Sequence, residues 1–134
     1  MLKFAYMKII LAMALTSFFA LRSSPQITIQ NSQWKGKIIT RGENVSEIKL
    51  EFRKDTLYTY RNETQLVSTF AFSQRHDTLT ITKTGGSGQC AINSKGTYRI
   101  ESLENGEKFH FRLLSDECPG RGTGWTAYPF ERID

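Results

Sequence analysis

The stretch Gly96–Ile133, GTYRIESLENGEKFHFRLLSDECPGRGTGWTAYPFERI, decides how this chain is read. In Thr97–Leu103, Tyr98 and Ile100 share one face, with Arg99 and Glu101 opposite. In Lys108–Leu114, Phe109, Phe111 and Leu113 fall on one side, with His110 and Arg112 on the other. Strand side chains alternate between two faces, so a period of two with one apolar row describes a sheet that is dry on one side. Between the runs stands Glu104-Asn105-Gly106, whose Asn-Gly pair tolerates positive φ and marks a hairpin.

The rest of the chain repeats this unit. Trp34–Thr40, Ser46–Arg53, Thr56–Arg61, Thr64–Ser73 and Thr78–Lys83 read as strands, separated by breaks at Arg41–Asn44, Lys54-Asp55, Asn62-Glu63 and Gln74–Asp77. The inward row is Ile48, Leu50 and Phe52 in the second strand and Leu57 and Thr59 in the third. It is Leu66, Phe70 and Phe72 in the fourth and Leu79 and Ile81 in the fifth. Thr84–Lys95 is irregular, with a flexible Gly85-Gly86-Ser87-Gly88 loop. Asp116–Gly124 reads as a glycine-rich loop, and Trp125–Ile133, containing Pro129, as the last strand. Proline cannot donate to a ladder, so that strand carries a bulge or turns the position away from its neighbour. No helical periodicity follows the leader. Eight short strands at even spacing indicate an all-β, antiparallel up-and-down barrel, because closure removes the two exposed edges of an open sheet.

Residues 1–23 stand apart. Lys3 and Lys8 lie close to a largely apolar run from Ile9 to Leu21, the pattern of a signal peptide too short to span a bilayer comfortably. The expected domains are therefore a leader, 1–23, and a barrel, 24–134, secreted or periplasmic, with no stable membrane span once the leader is removed. The charge changes with it. Taking Lys3, Lys8 and Arg22 from the 18 basic residues leaves 15 against 13 acidic ones, a net +2 in place of +5. The remaining charges are interspersed in sign, which argues against a nucleic-acid surface. Two cysteines in an exported chain read most simply as one disulfide, Cys90–Cys118. A metal pair would call for a CxxC spacing or a nearby histidine.

Several quoted segments resemble bacterial lipocalin-like domains: Trp34 early in the first strand, Phe52-Arg53-Lys54-Asp55-Thr56-Leu57-Tyr58, Asp77-Thr78-Leu79-Thr80-Ile81, Gly96-Thr97-Tyr98-Arg99-Ile100, and Asp116-Glu117-Cys118-Pro119-Gly120-Arg121 before the last strand. The resemblance implies a calycin-type barrel with small-molecule binding. It also implies that Trp34 and Arg132 form the pair closing one barrel end. The chain departs from the lipocalin signature at Ser32, where a glycine would stand two residues before the tryptophan.

No catalytic constellation, cofactor motif or metal cluster is legible, so no enzyme activity is expected. His76 and His110 read as surface residues, and the glycine-rich loop lacks the lysine-serine pair of a phosphate cradle. Asn44 and Asn62 head glycosylation sequons, meaningful only in a host that glycosylates. The informative excess is aromatic. Phe52, Phe70, Phe72, Tyr98, Phe109, Phe111 and Trp125, with Phe130, either line a pocket for a small apolar ligand or simply fill the core. A pocket would lie at the end away from Trp34, with Arg121 and Arg112 near its rim. The alternative is a packed barrel that works as an interaction or protease-inhibitor-like module through its N-terminal arm, Ser24–Asn31, or its loops.

Overall fold

Alternation becomes geometry through pairing. The computed structural model describes residues 26–134; the expected leader and its expected cleavage site lie outside them. The strands are β1 (Ser32–Thr40), β2 (Asn44–Arg53), β3 (Thr56–Arg61), β4 (Gln65–Arg75), β5 (Thr78–Gly86), β6 (Lys95–Leu103), β7 (Lys108–Asp116) and β8 (Phe130–Arg132). Each pairs antiparallel with the next, and β8 returns to β1 to close an eight-stranded barrel. Closure is made by the register Trp34↔Arg132, Lys35↔Glu131 and Gly36↔Phe130. Gly36 is required there, because a Cβ would lie 2.7 Å from Cδ1 of the Phe130 ring.

The tight turns fall where the polar breaks lie. Lys54, Asn62, Glu63, His76 and Asn105 all have positive φ, the conformation that lets the chain reverse within two or three residues. At the Trp34 end, residues 26–31 run across the barrel. Ile27 and Ile29 are buried in the core. The Gln74 amide fixes them there: the Ile29 N–H donates to Gln74 Oε1 (3.0 Å) and Gln74 Nε2 donates to the Ile27 carbonyl (2.6 Å). Trp34 Nε1 donates to Ser32 Oγ at 2.7 Å, and the Arg132 guanidinium stacks 4.7 Å above the Trp34 ring.

Above this plug the interior is packed with rings. Phe109 sits 4.6 Å from Trp34, 4.7 Å from Phe111 and 5.4 Å from Phe130, in edge-on and stacked contacts that favour such pairs beyond the area they bury. Phe52 meets Phe72 edge-on at 5.0 Å. This half of the barrel is filled.

Three features differ from the strand pattern in the sequence. Segment 119–125 is a helix, α1 (Pro119–Trp125), and β8 spans only Phe130–Arg132. Proline suits the first helical position. The glycines then let the helix press onto the barrel: a Cβ on Gly124 would run into the Ile39 carbonyl. Pro129 stands just before the strand, so it costs no ladder bond. Second, Leu66 faces outward. A bulge shifts the β3–β4 register from Thr59↔Ser68 to Tyr60↔Leu66, and a one-residue slip turns a side chain to the other face. Third, Leu113 stands opposite Tyr98 in register but is 42% exposed, its methyls against Gly122 of α1.

Candidate functional site

The end opposite Trp34 holds an open cavity of about 720 Å³. It is formed by the last residues of β1 and β3, the first of β2 and β4, the end of β5, the loop 87–90 and α1. Its apolar wall is Ile38, Ile39, Ile48, Val67, Phe70 and Trp125. Phe70 and Trp125 meet edge-on at 5.5 Å and separate the cavity from the rings below. Trp125 reaches this position because it ends a helix tucked into the mouth.

Of the aromatic residues named from the sequence, Phe70 and Trp125 line the cavity. Phe52, Tyr98, Phe109 and Phe111 are fully buried in the packed interior, and Phe72 packs against it from the closed end. Position along the barrel goes with the division: Phe70 and Trp125 stand at the open end, and the other rings lie in the packed cluster beneath them.

A polar network supports the mouth. Asp116 is held by the Arg121 guanidinium in a two-pronged ion pair, with Nε–Oδ2 and NH2–Oδ1 both at 2.8 Å. The two side chains are 3% and 1% exposed. The same carboxylate accepts from the Tyr98 hydroxyl and, at 2.7 Å, from the Cys118 N–H. Arg121 also reaches the Ser94 side chain and carbonyl, and lies 5.5 Å from the Phe70 ring centroid. Burial, with the Asp116 hydrogen bond and charge behind it, pushes the Tyr98 phenol far above its ordinary value. Burial pulls the Arg121 pKa down, but the hydrogen bonds and charge of Asp116 outweigh it and the net shift is upward. Thr59 and Ser68 satisfy each other nearby, their hydroxyls 2.6 Å apart.

Lys83 is the residue that reading by pattern missed. It continues the inward row Leu79, Ile81, Lys83 of β5 and is buried. Its Nζ donates to the carbonyls of Ser87 (2.9 Å) and Cys90 (2.8 Å). Burial lowers its pKa, and the Arg121 charge lowers it further. A lysine at i+4 of an apolar alternating row was the available signal.

The glycine-rich loop is pinned. Lys83 holds its carbonyls, and the Ser87 N–H donates to the Val67 carbonyl at 2.9 Å. Cys90 is bonded to Cys118, tying the loop to the start of α1, and both cysteines face the cavity. Arg121 is at the mouth, whereas Arg112 is exposed and paired with Glu101 at 3.1 Å, away from the cavity lining. His110 Nε2 lies 2.7 Å from the Thr126 carbonyl oxygen, and the His76 carbonyl accepts from Gln74 Nε2. The closed antiparallel barrel is compatible with a lipocalin-like, calycin-type fold. No family model, no curated protein and no solved structure matches this chain.

Proposed function

We propose that this chain is an exported barrel protein that holds a small, largely apolar molecule non-covalently in its open end and performs no chemistry on it. The observation that carries this reading is the division of the interior. Rings fill the half nearest Trp34, and a cavity of about 720 Å³ with an apolar wall occupies the other half. That is within the usual size of small-molecule sites, which combine apolar walls with a few fixed polar groups. The disulfide is consistent with a place outside the cytoplasm. Among the described residues no helix is long and apolar enough to cross a membrane. The reading as an arm-based interaction module has less support, since Ile27 and Ile29 are buried against the barrel and leave residues 26–31 little freedom to engage a partner.

The test is uptake of the neutral probe N-phenyl-1-naphthylamine, whose fluorescence rises in an apolar site. The purified protein is expected to bind it saturably, and Val67→Trp, which fills the mouth, to abolish uptake while the barrel stays folded. No enhancement with the native protein would reject the proposal.

A further inference from the structure

The charge inside the cavity does not balance. Both Asp116 oxygens are engaged, by Arg121, by Tyr98 and by the Cys118 N–H. Lys83 has carbonyl partners alone and forms no ion pair with a carboxylate among the described residues. Its residue is 3% exposed, so water does not compensate it as it would a rim arginine. Among the described residues lining the cavity Glu47 is the one carboxylate, and it is exposed on the face of β2 opposite Ile48; Arg41 and Arg61 are exposed at the rim as well. Two cations and one carboxylate are thus sunk in the wall, leaving one positive charge beside apolar side chains. Sequestering a cation without a counter-charge is costly, and a bound anion removes that cost.

We propose that the cavity takes a monoanionic amphiphile, a long-chain monocarboxylate, with its head on Lys83 and its tail among Ile38, Ile48, Val67, Phe70 and Trp125. The inference rests on the ligand-holding reading above and adds the sign and number of the ligand's charges. Two of the three ammonium donors are committed to Ser87 and Cys90, so one remains for the head group. A neutral alcohol leaves the buried charge unmatched, and an amine adds to it.

Competition against N-phenyl-1-naphthylamine by dodecanoate, dodecanol and dodecylamine at neutral pH and moderate salt tests the inference. Dodecanoate is expected to displace the probe at a concentration about tenfold lower than dodecanol, with dodecylamine weakest. Lys83→Met, which keeps the length and apolar stem, is expected to lose that preference, with dodecanoate and dodecanol displacing its bound probe at equal concentrations, and Lys83→Arg to keep it. Equal displacement by dodecanoate and dodecanol in the native protein overturns the inference while the ligand-holding reading stands. A preference that survives in Lys83→Met also overturns it. Failure of the native protein to bind the probe removes both. If Lys83→Met does not fold, Lys83→Gln takes its place as the variant that must lose the preference, because Arg41, Arg61 and Arg121 also line the cavity.

Discussion

Replacing Asp116 by asparagine keeps the side chain's shape and deletes one buried negative charge. In the native protein this carboxylate accepts four hydrogen bonds, two of them charge-assisted from Arg121. Its loss leaves the Arg121 guanidinium, 3% exposed, held by Ser94 at 3.3–3.4 Å and one amide oxygen. It also leaves two cations, Arg121 and Lys83, without an anion between them. Removing one partner of a buried pair costs about 3–5 kcal/mol, because the other charge stays behind in a poor solvent. The remaining amide oxygen places the expectation near about 3 kcal/mol. For a domain of this size that lowers Tm by about 12 °C. Urea unfolding with the disulfide intact measures it directly. The double variant Asp116→Asn, Arg121→Met removes both charges and is expected to regain at least about 2 kcal/mol of the sum of the single losses, the coupling that a double-mutant cycle isolates. Glu101→Gln, which breaks the exposed pair with Arg112, is the internal comparison and is expected to cost no more than about 0.5 kcal/mol. A loss below about 1 kcal/mol for Asp116→Asn would place the pair in the same class as that surface bridge. The account of the mouth as a desolvated network would then be wrong.

Reducing Cys90–Cys118 is expected to lower stability by about 3–4 kcal/mol in the chain-entropy description of a loop this long, and an unchanged Tm in reductant would contradict it. The same reduction unties loop 87–90 from α1 at the cavity, so probe binding is expected to weaken as well. Tyr98 is expected to contribute to the loss of stability at alkaline pH. Its folded-state pKa is raised, so the unfolded chain releases the proton first; the contribution is complete below the ordinary value of 10.0 and is lost as pH rises above it towards the folded value. Tyr98→Phe is expected to flatten the fall in stability above that pH, at the expense of a buried hydrogen bond to Asp116 at neutral pH, and equal alkaline slopes in the two proteins would refute the assignment.

The barrel itself is legible along the chain because its cause is local. Tyr98 and Ile100, or Phe109 and Phe111, alternate whatever surrounds them, and Asn105-Gly106 reverses the chain through backbone preferences of its own. The open-end cavity is legible only in outline. Phe52, Phe109 and Phe70 look alike as sequence, and whether a ring lines a hollow or fills it depends on its height in the closed barrel. Arg121 could be placed near the mouth from its loop, but its partner Asp116 lies on β7 and its contact Ser94 stands just before β6, the strand paired with β7.

What the amino-acid order determined alone is the strand pattern, the turns and the cysteine pair, all consequences of short-range sterics and of which rows are apolar. Tertiary structure decided the rest. α1 has no apolar period to announce it, since Gly124 serves close packing on Ile39 and Gly122 on Leu113. Leu66 was turned outward by a bulge that only the pairing of β3 with β4 reveals. Lys83 acquires its meaning from Arg121 and from carbonyls four and seven residues along the chain, because the effect of a charge depends on what surrounds it after the barrel has closed.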